Sequence, residues 1–469
     1  MISSGFGAEC ESYVVNAVAS TANRLPATPS PPAEPSLRPR VFPRAQQIND
    51  GCHVNSAEPL ATSAAVSSQG RTVLLVLLAF VGVINYADLQ SIAILKPLIE
   101  RSIGWSDADY GRVVAMFQLA TALSYLWAGA VVDRLGVKRS IPVAVTSFSI
   151  ADAAHALART TGGFMLARIG LGASESLTTP AIIQATGAYF EPDRRARMLG
   201  LINSANSLGA IITPLVIPTV ALTVGWRAAF VLLGIAGFLW TTVWIVTLRG
   251  SRLSQRGVAP APRSTPQGYL RLLKERRTWA IIVGKALADQ VWWLLLYWTP
   301  AFLHRTFHLS IRAYGGPLAV MYGGSMLGSI VGGWASSRLV SRGMGAVAAR
   351  LAVMLACSVI GLALFGVPHA GGVWAAVAML TIGIAAMQGF SVNMFTLITD
   401  VIEGERVGTV TSLGAFAGNI AGMAVVWLCG VHLASGGGYA PFFDFAAVSF
   451  ALALAWLRLV MPQAYLRGA

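Results

Sequence analysis

Apolar residues in this chain come in long uninterrupted runs, without the two-residue alternation of strands or the narrow stripe of a surface helix. Twelve runs can be placed, at 72–96, 109–131, 140–159, 163–188, 198–222, 227–248, 279–303, 314–337, 346–367, 373–399, 409–433 and 441–462. A helix needs about 20 predominantly apolar residues to cross the hydrocarbon core, and each run meets that length. Only short polar segments join them, except for 249–277, which parts six runs from six. Residues 1–70 hold Pro26, Pro29, Pro31, Pro32, Pro35, Pro39 and Pro43 and no spanning run. The pattern predicts an all-α polytopic membrane protein of 12 transmembrane helices in two six-helix halves. Its parts are a disordered Pro-rich tail (1–70), an N-terminal bundle (71–248), a central loop (249–277) and a C-terminal bundle (278–469).

Composition narrows the class. Charged residues make up 12% of the 469, against about 25% in an ordinary globular domain, while 55% are hydrophobic and the mean hydropathy is +0.63. So few charges cannot cover soluble domains of this size, which excludes a soluble enzyme. The net charge of +14 does not indicate nucleic acid, because the cations sit in short clusters between apolar runs. With the tail and even-numbered connections on one side, that side collects 25 Lys and Arg and the other five: Arg101, Arg159, Arg227, Arg305 and Arg312. The positive-inside rule then predicts both termini in the cytoplasm. Cys10, Cys52, Cys357 and Cys429 show no disulfide or metal spacing, and no phosphate-binding loop or catalytic triad appears. No metal and no cofactor is expected, and ATP is not the driving force.

The halves also echo one another. Gly129-Ala-Val-Val-Asp133-Arg134-Leu-Gly136-Val-Lys138-Arg139 closes the second run, and Gly333-Trp-Ala-Ser-Ser337-Arg338, with Arg342 beyond it, closes the eighth. Asp193-Arg194-Arg195 after the fourth run is matched by Glu403-Gly-Glu405-Arg406 after the tenth. Internal repeats of this kind characterise secondary transporters. The Gly129–Arg139 segment resembles the signature between helices 2 and 3 of the major facilitator superfamily, and the resemblance extends over about 71–462. Asn85-Tyr86-Ala-Asp88, Gly104-Trp105-Ser-Asp107-Ala-Asp109-Tyr110-Gly111, Arg168 with Glu175, Asp289-Gln-Val-Trp292-Trp293 and Gly418-Asn419 look like the anion:cation symporter branch, whose members carry hexuronates, glucarate, galactonate, tartrate or phthalate. The resemblance implies proton-coupled symport of a small organic anion (a sugar acid, or an aromatic or dicarboxylic acid) by a protein of the bacterial inner membrane, working as a monomer. Three positions depart from the pattern. Leu89 stands where family members carry an Arg that holds the substrate carboxylate, Ser337 replaces an Asp, and Ala301 replaces a Lys.

Charges within the hydrocarbon cost about 2.5–3.5 kcal/mol each on insertion scales and mark functional candidates. Here they are Asp88, Asp152, Arg168, Glu175, Lys285 and Asp289, with Lys96 and Arg112 nearer helix ends. Asp88 and Glu175 are the candidate proton carriers. Arg168 and Glu175 lie two turns apart on one face, about 10 Å by helix rise, so each is available to another helix or a ligand. With Leu89 in place of Arg, Arg168 becomes the leading anion ligand, unless it pairs with Asp88 or Asp152. Lys285 and Asp289 are spaced to neutralise one another; otherwise Lys285 replaces the missing Arg. Asp152 and His155 read as structural. Tyr86, Asn203, Asn206, Gln388, Asn393 and Asn419 complete the candidate substrate site, although such amides also serve as interhelical glue. Of Trp292, Trp293, Tyr297 and Trp298, three are expected as interface anchors or packing. Gly129, Asp133, Arg134, Gly136, Arg139 and Arg338 are the candidate gating residues, with a weaker latch in the second half because of Ser337. A more apolar or neutral solute, or proton-driven efflux, is the alternative that Leu89 leaves open.

Overall fold

The computed structural model describes residues 68–190, 192–248, 272–402 and 404–461. Most of the tail, most of the central loop (249–271) and residues 462–469 lie outside the described residues. So do the side chains of Asp193, Arg197, Asn203 and Glu405. Thirteen α-helices are described: α1 (Ser68–Ile103), α2 (Asp107–Leu135), α3 (Val137–Leu157), α4 (Thr161–Glu175), α5 (Thr178–Tyr189), α6 (Pro192–Thr223), α7 (Trp226–Leu248), α8 (Arg276–Phe307), α9 (Gly315–Ser341), α10 (Ala346–Gly361), α11 (Val373–Val401), α12 (Gly404–Ala434) and α13 (Ala440–Val460). Eleven helical segments among the described residues are each long and apolar enough to cross a membrane. The twelfth crossing is α4 followed by α5.

That break corrects the expected continuous run 163–188. The proline ring at Pro180 collides with the carbonyl four residues back in an unbroken helix and has no N–H to donate. Position 176 is where α4 gives way, with Ser176 as its C-cap. Other helices outrun their apolar cores: α1 begins at Ser68, inside the expected tail, and continues through Pro97 to Ile103. The hydrocarbon sets a minimum helix length and does not itself end a helix.

Helix pairing repeats between the halves. In the first, α1 packs on α6, α2 on α4 and α3 on α7; in the second, α8 packs on α12, α9 on α11 and α10 on α13. Across the halves, α2 meets α12 and α6 meets α9, as a pseudo-twofold axis requires. Small residues let the backbones approach. On α9, Gly324, Gly328 and Gly332 face Thr381, Ala385 and Gly389 of α11, and a Cβ at Gly328 would lie 2.1 Å from the Ala385 carbonyl oxygen. Gly328→Ala must push two helices apart, and we expect a loss of about 1–3 kcal/mol, read as a lower unfolding temperature of the purified protein.

The cross-half contacts cluster at the end bearing the α1–α2 turn. A Cβ at Gly111 would lie 3.1 Å from Gly430 Cα, and one at Gly315 2.9 Å from the Leu215 side chain. The Tyr110 hydroxyl donates to the Tyr297 carbonyl at 2.8 Å. At the other end, Gly136 joins α2 to α3 with φ of +71°, a left-handed conformation that favours glycine.

Candidate functional site

Between the halves lies a cavity of about 270 Å³. Its wall includes Gly82, Asn85 and Leu89 of α1, Phe117, Thr121 and Tyr125 of α2, and Glu175 at the end of α4. Thr178, Ile182 and Ile183 of α5, Leu199, Ile202 and Asn206 of α6, Trp293 of α8 and Asn419 of α12 continue it. The lining runs from Leu89 toward Ile183 and Leu199, away from the α1–α2 turn. Glu175 is the only Asp, Glu, Lys, Arg or His among these lining residues. The helix break places it there: with α4 ending at Glu175, the carboxyl stands at a discontinuity instead of against the next turn. Asn85 of α1 shares that stretch of wall with it.

Behind Glu175 is a buried charged cluster. Asp88, Asp152 and Arg168 are each 0% exposed, and none lines the cavity. The Arg168 guanidinium lies 5.7 Å from the centre of the Phe117 ring, and Phe117 itself forms cavity wall. None of its three nitrogens has a hydrogen-bond partner among the described residues. Asp88 and Asp152, from α1 and α3, approach to within hydrogen-bond reach of one another. Two candidate proton carriers, the candidate anion ligand and Asp152, read from the sequence as structural, thus stand together, with Glu175 as the member facing the cavity. His155, on α3, turns Nδ1 to the Ala151 carbonyl at 2.8 Å and stacks on Phe230.

The remaining candidates divide. Asn206 and Asn419 line the cavity; the Asn206 amide oxygen occupies the place a Cβ at Gly82 would take, 1.8 Å away. Leu89, singled out by its departure from the family pattern, is part of the wall. Tyr86 is half-buried at the seam of the halves, its ring 6.2 Å from that of Trp292. Lys285 is paired with Asp289 at 2.8 Å and lies over Phe395, outside the cavity wall. Asn393 donates to the carbonyls of Gly332 at 3.1 Å and Gly389 at 2.8 Å, joining α11 to α9. Gln388 is half-buried on α11 and also lies away from the wall. Trp292, Tyr297 and Trp298 are buried, and Trp293 stacks on Tyr297 in the cavity wall, so the four pack inside the protein and not at a lipid interface.

Among the gating candidates, Asp133 accepts a hydrogen bond from Gln184 at 3.2 Å, a contact inside the first half. Gly129, Arg134, Arg139 and Arg338 are exposed. Ser337 donates to the Gly333 carbonyl of its own helix, while Arg350 reaches Ser336 at 2.6 Å and Asp400 at 3.4 Å. Cys357 and Cys429 are free and buried.

The network that sequence reasoning missed sits at the closed end, where residues it had noted only one by one meet. Lys96, 1% exposed, contacts Glu100 at 2.8 Å and Asp107 at 2.9 Å and lies over the Tyr110 and Trp298 rings. From the other half, Arg305 of α8 bonds both Asp107 and Glu100. The i,i+4 spacing of Lys96 and Glu100 was the one local signal.

A two-half helical bundle with a cavity between its halves, tied together at one end by cross-half charges, has the architecture of a membrane transporter. Residues 78–426 match the family model for the Major Facilitator Superfamily, and the chain belongs to that superfamily. It is 25% identical to the probable L-galactonate transporter of Escherichia coli K12, over 73% of this chain and 84% of that one. It is 24% identical to the hexuronate transporter of Bacillus subtilis, over 84% and 96%. A solved D-xylose-proton symporter matches with a TM-score of 0.66 at 14% identity, covering 85% of this chain and 99% of that one. A bacterial Spinster homologue in an inward-facing, unoccupied conformation matches with a TM-score of 0.64 at 18% identity, over 86% and 98%. The chain is thus a multi-pass transporter related to carriers of acid sugars and other anions.

Proposed function

We propose that the protein carries a small organic acid, of the sugar-acid type named for its relatives, across the inner membrane together with protons, with both termini in the cytoplasm. The observation that carries this reading is the placement of Glu175, the one charged side chain on the cavity wall, in front of buried Arg168, Asp88 and Asp152. Asn85, Asn206, Asn419 and Thr121 offer hydrogen bonds to substrate hydroxyls, and Trp293 a face for its carbon skeleton. Arg168 supplies the positive charge, screened from the cavity by Phe117 and reached when that ring and Glu175 rearrange. Protonation and substrate shift the balance between inward- and outward-open states by their differential affinity for each.

In proteoliposomes, D-glucuronate or L-galactonate uptake is expected to rise when the outside is made acidic. Uptake of every sugar acid and aromatic acid tested that ignores an imposed pH gradient would sink the proposal.

Leu89 favours a second reading. With Leu89, Phe117, Ile182, Ile183, Leu199, Ile202 and Trp293 on the wall and no Lys or Arg among the lining residues, the cavity also suits a more apolar or neutral solute. Leu89→Arg separates the two. A charged hydrogen bond contributes about 1.5–3 kcal/mol, so on the sugar-acid reading the variant lowers the KM for D-glucuronate by roughly 10- to 150-fold. No gain, with uptake of an aromatic acid retained by the native protein, favours the apolar solute.

A further inference from the structure

Asp152 has no part in the scheme so far, and its surroundings do not suit an inert residue. Both of its carboxylate oxygens are buried without a hydrogen-bond partner among the described residues, and the same holds for Asp88. The two carboxyl groups nevertheless face one another within hydrogen-bond reach. A carboxylate has acceptors only, so two of them in contact repel unless a proton lies between them.

The groups around the pair supply no other remedy. From α4, Arg168 and Glu175 face it, but Arg168 makes no ion pair within 4 Å among the described residues and its nitrogens are unpartnered. On α3 itself, His155 is one turn on and bonded to its own helix. α7 presents Phe230 and Gly234 to this part of α3, and α2 contributes Phe117. Three carboxyl groups against one guanidinium sum to two uncompensated negative charges if all are ionised. An uncompensated charge in such a site costs several kcal/mol. The cluster therefore has places for two protons, and the geometry offers two: Glu175 at the cavity, and the Asp88–Asp152 contact behind it.

We propose that Asp152 is a positioning residue for proton coupling, sharing one proton with Asp88, so that the pair and Glu175 form two separate proton stations. The proposal rests on the reading of Asp88 and Glu175 as proton carriers. When the shared proton leaves, the contact between α1 and α3 becomes repulsive and one carboxylate turns to Arg168. The protonation state is thereby converted into a movement of helices that border the cavity.

The test is difference infrared spectroscopy of the purified transporter in lipid, reading the carbonyl stretch of protonated carboxyl groups between acidic and alkaline buffer. If the proton is shared, Asp152→Asn and Asp88→Asn each remove the same band, the double variant removes no more, and Glu175→Gln removes a different one. An unchanged spectrum in Asp152→Asn overturns the proposal. Should that variant fail to fold, Asp152→Glu keeps the carboxyl and must shift the shared band; an unshifted band overturns it equally. Uptake of D-glucuronate keeps the two readings apart. If Asp88→Asn and Glu175→Gln both leave its response to the pH gradient untouched, proton-coupled transport falls whether or not the shared band exists.

Discussion

Glu175→Gln is expected to abolish accumulation driven by a pH gradient while leaving exchange of substrate across the membrane. Gln is nearly isosteric with Glu, so the cavity wall is preserved. What it loses is the ability to take up and release a proton at the one ionisable acidic or basic residue among the described residues that line that wall. One proton moving with substrate through one unit of pH gradient is worth about 1.4 kcal/mol, roughly a tenfold accumulation. The native protein should gain about that factor per pH unit and per proton coupled through Glu175, and the variant should lose it. Counterflow of labelled substrate, which needs binding and conformational exchange but no net proton movement, should persist. Accumulation at the native level would remove Glu175 from the coupling scheme; loss of counterflow as well would recast it as a binding residue.

The reason Glu175 and Arg168 separate so sharply in position is only partly legible in the sequence. Their seven-residue spacing correctly puts them on one helix face, but periodicity assumes a helix that continues. Pro180 ends α4, exposing Glu175 to the cavity while Arg168, two turns earlier, remains enclosed behind Phe117. The spans themselves were legible because bilayer thickness imposes their length, and the repeat was legible because both halves keep the same loop chemistry. Leu89 could be flagged by comparison with a family pattern, and it does line the cavity. Asp152 looked structural because nothing in α3 hints that Asp88, from α1, stands opposite it. Asn393 and Asn419 are both amides in apolar helices, yet one joins α11 to α9 and the other lines the cavity. Only packing distinguishes them, since both faces of a membrane helix read as apolar. The closed-end network was least legible of all, because Arg305 and Asp107 are 198 residues apart and each, read alone, is an ordinary charge at a helix end.

That network carries the second large expectation. Arg305→Ala should tip the protein toward the state open at the α1–α2 end, the outer end in the orientation that the charge bias predicts. In the state seen here Arg305 ties α8 of one half to Glu100 and Asp107 of the other. Opening that end must break those bonds, so they count for one state and not the other. Fully exposed ion pairs are worth about 0.2–1 kcal/mol, and breaking a buried one from one side costs about 3–5 kcal/mol. Arg305 is 36% exposed while Asp107 is 7% exposed, which places the shift between these limits, at about 1–3 kcal/mol or roughly 5- to 150-fold in the ratio of states. Removing the guanidinium also leaves Lys96 alone against two carboxylates, a net negative charge beside buried Tyr110 and Trp298. Repulsion between Glu100 and Asp107 then adds to the lost cross-half bond. A cysteine introduced at Gly111, which packs against Gly430, would itself force the seam apart; the native Cys429, fully buried in α12 beside Gly430, suits the measurement better, in a background where Cys10, Cys52 and Cys357 are replaced by Ser. Its labelling by a membrane-impermeant thiol reagent should accelerate in the Arg305→Ala background by a factor in that range, while Arg305→Lys, which keeps the charge but not the two-point contact, should fall between. Equal labelling rates with and without Arg305 would mean that helix packing at Gly111 and Gly430 holds the seam by itself, and that the four charges only accompany the closure.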